Sequence, residues 1–150
     1  MPMNKGVIKF MSMSHAFWYQ MSGGIIGAKV SGMPVLLLTT TGRKSGRKRT
    51  IPLTHQRDGA NFVLIASNAG HDNHPAWYHN LRANPDAEIV IGREKTRVRA
   101  ETANDADRDR LYKSAVDIFP GYGEYEKETT RKIPVVILKP VSSNAGRASA

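Results

Sequence analysis

The residue types best suited to chemistry stand in one short stretch, Thr39-Thr40-Thr41-Gly42-Arg43-Lys44-Ser45-Gly46-Arg47-Lys48-Arg49-Thr50. Five of the seven residues from 43 to 49 are basic. Gly42 and Gly46 bracket the turn, where bare backbone N–H groups can approach an anion closely. The run is not a nucleotide-binding P-loop, because the spacing before Lys44-Ser45 is wrong and no helix is predicted to follow. Two readings stay open. Such a cluster is most often a solvated turn; the sharper reading is a hairpin loop that clamps a phosphate or carboxylate from one side.

Three other groups invite the same question. Arg93, Lys95, Arg97 and Arg99 alternate, so those on one strand share a face. Their mutual repulsion is modest in water and larger where water is excluded, so the face is either solvated or crossed by an anion. His71, Asp72, His74 and His79 crowd together as metal ligands do. Their spacing is not His-Glu-x-x-His and no carboxylate flanks His79. His74 precedes Pro75 and is biased toward extended backbone, so a polar loop leading into a helix is the reading adopted, with no metal. Tyr122 and Tyr125 read, by themselves, as aromatic packing at the junction of a loop and a helix.

These residues need elements to hold them. The chain has 150 residues and a net charge of +9, about one domain's worth with room for one core. Hydrophobic residues at 40% and charged ones at 23% suit a globular chain rather than a disordered one. The absence of cysteine excludes disulfides, thiolate nucleophiles and thiolate-held metal centres. No apolar run approaches the roughly 20 residues of a membrane-spanning helix, and no signal-peptide pattern opens the chain. The cytoplasm is the expected compartment. The first hundred residues carry 14 basic and 5 acidic side chains, the last fifty 8 of each. The positive field therefore belongs to the first two-thirds, and it suits a polyanion.

The apolar spacing predicts a helix over 4–21, then a Gly-rich linker to residue 32. Strands are expected over 34–40, 49–57 and 61–67, with Asp58-Gly59 as the turn between the last two. A helix with Pro at its first turn is expected over 75–83. A hairpin over 87–91 and 96–102 follows, around residues 92–95. Asn104 or Asp105 caps a helix running to Ile118. Residues 119–125 read as a Pro/Gly loop, 133–138 as the last strand, and 141–150 as a frayed tail. About six short strands, mostly in hairpins, with no repeated β-α-β unit, describe an α+β chain built on an antiparallel barrel with flanking helices. The domain proper is expected over 33–140. Two non-catalytic readings compete. A sequence pI near 10 suits nucleic acid, although no nucleic-acid-binding motif is present. The stripe of Phe10, Phe17 and Trp18 with Lys5 and Lys9 suits peripheral contact of residues 4–21 with a membrane, or packing on the barrel.

Several separated motifs together resemble the deazaflavin-dependent nitroreductase family. They are the Thr39–Gly46 run, Arg49-x-x-Pro52-Leu53, Ala66-Ser67, Asn73-His74-Pro75-Ala76-Trp77-Tyr78-His79-Asn80-Leu81-Arg82-Ala83-Asn84-Pro85, Phe119-Pro120-Gly121-Tyr122-x-x-Tyr125 and the Ile133-Pro134-Val135 strand. The likeness runs in order from about Pro34 to Pro140. It implies a split β-barrel of the FMN-binding type that binds coenzyme F420, a deazaflavin bearing a phosphodiester and an oligoglutamate tail. By position, Lys44 and Arg49 resemble the ligands of phosphate and tail, assisted by Arg43 and the backbone of Ser45-Gly46. Pro52, Ala66 and Ser67 would border the ring, Asn68 stands where a basic residue is frequent, and Trp77 would pack beside the coenzyme. Tyr122 and Tyr125 match tyrosines lining the acceptor pocket, and Ser67 joins them in the implied catalytic set. The implied activity is hydride transfer from reduced F420 to a small hydrophobic acceptor, a quinone or a nitroaromatic compound. Members that reduce nitroimidazoles carry tyrosine where this chain has Thr54 and Phe119.

Overall fold

The computed structural model describes residues 29–30 and 33–141. The helix expected over 4–21, with its membrane reading, and the tail from residue 142 lie outside them. In chain order the described elements are β1 (Lys29–Val30), β2 (Met33–Thr41), β3 (Lys48–Thr54), β4 (Gln56–Asp58), β5 (Asn61–Ile65), a 3-10 turn (Asn68–Gly70), α1 (Ala76–Ala83), β6 (Asp86–Ile91), β7 (Glu94–Thr102), α2 (Asp105–Ile118), α3 (Gly121–Glu128) and β8 (Val135–Pro140). The strands form one sheet in the order β1-β2-β6-β7-β8-β5-β4, with β3 on the other edge of β2. Every pairing is antiparallel. The expected α+β barrel with flanking helices is therefore present.

β2 reads as an unbroken apolar run because both of its faces are covered. Leu36 and Leu38 face one cluster with Ile89, Val98, Val136 and Leu138, while Val35 and Leu37 face the opposite side with Val90. The first cluster fills the curl of the sheet, and α1 plugs it with Trp77, Tyr78 and Leu81. Pro75 stands at the N-cap of α1 rather than inside its first turn, and its carbonyl accepts from the amides of Tyr78 and His79. A second cluster lies on the outer side of β5 and β8, where Leu111, Tyr112 and Ala115 of α2 and Tyr122 of α3 meet Val63, Val135 and Ile137. Asn104 caps α2 by accepting from the Asp107 amide at 2.8 Å, and Asp105 and Asp107 complement the positive end of the helix.

Two expectations need correction. The stretch 49–57 is not one strand: it breaks at His55 into β3, paired with β2, and β4, paired with β5. The chain itself thus crosses from one sheet edge to the other, and the His55 amide fixes the corner by donating to the Pro34 carbonyl at 3.1 Å. Residues 119–125 are not a loop, since α3 occupies Gly121–Glu128. Pro120 sits outside it as the N-cap, and a side chain at Gly121 would run into the Phe119 ring. The glycine serves close packing rather than a turn. Smaller shifts concern boundaries: β7 begins at Glu94, leaving only Gly92 and Arg93 in its hairpin turn, and the last strand starts two residues late, at Val135.

Candidate functional site

The basic stretch is the connection of the β2–β3 hairpin. Its backbone closes on itself through Gly42 N–H to Arg47 O and Gly46 N–H to Gly42 O, both at 2.8 Å. A Cβ at Gly42 would meet Ser45 Oγ at 2.7 Å, and Gly46 takes φ of 72°, so both positions need glycine. The Ser45 hydroxyl accepts from the Arg47 amide at 3.1 Å. The loop is tied to α1 by Asn80, whose Oδ1 accepts from the Arg43 amide and whose Nδ2 donates to Thr40 Oγ1, each at 3.1 Å. Asn80 is buried, so a helix from the core sets the position of a solvent-facing loop.

Arg43, Lys44, Arg47, Lys48 and Arg49 are all exposed. Among the described residues no carboxylate pairs with any of them. The second basic set behaves differently. Lys95, Arg97 and Arg99 do share the exposed face of β7, but Lys95 meets Glu88 at 3.8 Å and Arg99 meets Asp86 at 3.1 Å. Such exposed pairs contribute little stability, about 1 kcal/mol at most. Their effect here is to offset part of the charge on that face, whereas the hairpin gathers five cations with no carboxylate partner among the described residues. The donor set there, three guanidinium groups and two ammonium groups, fits a ligand carrying phosphate and carboxylates; the Gly42 and Gly46 amides expected to meet an anion are instead spent inside the loop.

The other implied residues lie around this hairpin. Strand alternation places Arg49, opposite Thr40, on the α1 side, and Pro52, opposite Leu37, on the other face. A ligand touching both must therefore lie along the edge of β3 that no described strand pairs. Thr50, Pro52 and Thr54 share the Pro52 face, and Thr54 Oγ1 is 2.9 Å from the Tyr122 hydroxyl. Tyr122 is buried among Phe119, Tyr112 and Tyr125, with ring centroids 5.3, 6.4 and 6.1 Å away. Burial pushes its phenol above the ordinary range, opposed by the Thr54 bond and helped by Tyr125, so it is a neutral donor near pH 7. Tyr125 is half-buried. Trp77 is buried in the inner core, and the Ala66 side chain is wholly enclosed there. Ala66 can face a ligand only through its backbone, which already bonds Pro134 and Arg131.

After Ala66 the chain makes an unusual turn. Asn68, Ala69 and Gly70 take φ of 48°, 54° and 82° in succession. The left-handed region costs a non-glycine residue roughly 1–2 kcal/mol, so this turn must be held from outside. Local bonds run from Gly70 N–H to Ser67 O at 2.9 Å and from Asn68 Nδ2 to Asn73 O at 2.9 Å. Arg131, which the sequence reading passed over, supplies the external hold. Asn80 was likewise given no role, although a polar residue one position before Leu81 on the buried stripe of α1 was the available signal. Two cavities, of about 160 and about 320 Å3, lie away from these residues, against Tyr78 and Glu101 and against Arg57 and Phe62.

Fold and site together define a split-barrel protein with an exposed basic turn at one end of β3 and a buried tyrosine cluster at the other. Comparison with known proteins makes the class specific: the model of the F420H(2)-dependent quinone reductase family matches residues 11–140, and the chain belongs to that family. An F420H(2)-dependent quinone reductase of Mycobacterium tuberculosis strain H37Rv is 41% identical over 128 residues, which span 83% of this chain and 86% of the relative. Among solved structures, an F420-H2 dependent reductase is 37% identical with a TM-score of 0.65, covering 71% of this chain and 94% of the other. Another, described as a domain-swapped dimer, is 32% identical with a TM-score of 0.68, covering 85% and 94%. The split-barrel expectation and the deazaflavin-dependent family are thereby established. Among the described residues no helix is long and apolar enough to cross a membrane.

Proposed function

We propose that the chain reduces quinone-like acceptors with coenzyme F420H2, gripping the coenzyme by Arg43, Lys44 and Arg49 and meeting the acceptor at Tyr122. The observation that carries this reading is the hairpin of five exposed cations without a carboxylate partner among the described residues, braced by buried Asn80, in a member of this family. When bound, the reduced deazaflavin supplies the hydride; the chain's own residues do the rest. Guanidinium and ammonium groups with the Ser45 amide hold phosphate and carboxylates, the Gly46 amide being already bonded to the Gly42 carbonyl. Pro52 from β3, Ser67 and Asn68 from the turn, and Trp77 from α1 border the ring. The Tyr122 hydroxyl donates to an acceptor oxygen on which negative charge develops and passes on a proton, with Thr54 orienting it and Tyr125 closing the pocket. A nitroaromatic oxygen makes the same demand on that hydroxyl.

Fluorescence titration with F420, with FMN as the control, tests the assignment. Lys44→Ala and Arg49→Ala should each weaken F420 binding about tenfold or more, as a charge-assisted bond worth about 1.5–3 kcal/mol requires. FMN has no oligoglutamate tail and should bind weakly. Unchanged F420 affinity in the double variant would reject the hairpin as the grip.

A further inference from the structure

The guanidinium of Arg131 is docked on one stretch of backbone. Its Nε donates to His71 O at 2.9 Å, and its Nη2 donates to Ser67 O at 2.8 Å and to Ala66 O at 3.2 Å. Its Nη1 lies 2.9 Å from His74 Nδ1. Arginine has no acceptor, so His74 Nδ1 must accept, and the ring carries its proton on Nε2. These four acceptors flank the left-handed turn Asn68–Gly70 on both sides. A second tie runs from Thr129 Oγ1 to Asp72 Oδ1 at 3.1 Å, and both ties come from the segment that follows α3.

We propose that Arg131 is a positioning residue: it locks the Ala66–His74 loop in the shape that presents Ser67 and Asn68 to the coenzyme, and a proton on His74 opens the lock. The inference rests on the coenzyme reading above. The chemistry of opening is simple. An imidazolium has donors on both nitrogens and cannot accept from a guanidinium, so protonation replaces a hydrogen bond with a repulsion. The surroundings favour the neutral ring. Burial and then Arg131, His79 and Arg82 hold the His74 pKa below its ordinary value. The groups facing it are Tyr78, His79 and Arg82 from α1, with the Tyr78 and His79 rings 4.9 and 5.7 Å away, Arg131 from the segment before β8, and Asp72 from its own loop. Asp72, held by Thr129, acts on the Arg131 guanidinium, and the Glu128 carboxylate of α3 lies against Gly70 of the same loop.

The test pairs two readouts on the full-length protein. Hydrogen exchange of the ligand-free protein should show amides 68–74 of Arg131→Ala opening at least tenfold faster, with the β2 and α2 amides unchanged. F420 fluorescence titration of the same variant should show binding at least tenfold weaker, with Arg131→Lys in between. His74→Gln keeps an acceptor and removes the titration. Wild-type F420 affinity should fall as pH is lowered from 7.5 to 5.5, and His74→Gln should not share that fall. Protonation of His79, close to Arg43, would strengthen anion binding, so the sign separates the two histidines. Unchanged exchange, exchange accelerated throughout the protein, or faster exchange with unaltered F420 affinity would each overturn the proposal. Should the wild-type protein itself bind no F420, the coenzyme reading falls and the proposal with it, an outcome distinct from failure in the variants alone.

Discussion

In the proposed reaction Tyr122 is the side chain that meets the acceptor. Desolvation keeps its phenol protonated, and the 2.9 Å contact with Thr54 fixes where its oxygen points. A second restraint acts on its backbone, since Tyr112 Oη donates to the Tyr122 carbonyl at 2.6 Å. Tyr112 is itself pushed up to about 12, first by burial, so it remains a donor across the working pH range. Phenylalanine at 122 would keep the packing with Phe119 and Tyr125 and lose only the hydroxyl. Tyr122→Phe should lower turnover by about 100-fold if the hydroxyl relays the proton, with the F420 dissociation constant within about twofold of wild type. Steady-state kinetics with a soluble quinone beside the fluorescence titration would show it. A raised dissociation constant with normal turnover would remove Tyr122 from the acceptor side. At this scale the sequence was uneven. The exposed basic cluster of residues 43–49 could be read because charge density is visible in one dimension, while the roles given to Arg43, Lys44 and Arg49 come from the family resemblance alone. The bond from Thr54 to Tyr122 spans 68 residues, and no local pattern announces it.

The elements that hold these side chains were legible where one periodicity ruled. β2, β6, β7, α1 and α2 follow their apolar spacing to within a few residues. α3 was missed because Pro120, Gly121 and Gly123 signal a turn when read locally, whereas the Phe119 ring packs too closely to admit a side chain at Gly121. The β3–β4 corner was missed because the alternation runs through His55 while the pairing partner changes from β2 to β5. The link between α1 and the basic hairpin is of the same tertiary kind. Asn80 satisfies a buried Thr40 hydroxyl and a loop amide at once. Asn80→Ala would leave both without that partner and should cost about 1–3 kcal/mol, the penalty for an unsatisfied buried group, seen in urea unfolding as a lower midpoint at unchanged slope. The hairpin would also lose its brace, so F420 should bind more weakly under conditions where the variant is fully folded. Full F420 affinity in the folded variant would show that the loop holds its shape without α1.

For the molecule as a whole, the charge plan and the barrel corner meet at His55. The chain carries +9 at neutral pH, and the folded form encloses an imidazole that resists gaining one more positive charge. His55 is 5% exposed, Nδ1 has no hydrogen-bond partner among the described residues, and burial and then Arg57 lower its pKa to about 4. In the unfolded chain an ordinary imidazole titrates near 6.5. Between those values the unfolded form holds more protons, so acidification favours unfolding. This part of the stability is complete above about pH 6.5, declines as pH falls toward 4, and levels off below that as the folded form protonates too. The slope should stay under the single-proton limit of about 1.4 kcal/mol per pH unit. The window from pH 6.5 to 5 lies above most carboxylate titration, so the histidines dominate there. His74 and His79, both held low chiefly by burial, act in the same direction. His55→Leu removes the titrating ring and its unpartnered nitrogen together, and replacing an unsatisfied polar group by an apolar one is close to neutral at pH 7. The variant should therefore match wild-type stability at pH 7.5 and exceed it at pH 5, as measured by urea unfolding at both pH values. Equal losses on acidification in the two proteins would mean that the corner histidine takes up its proton as readily folded as unfolded.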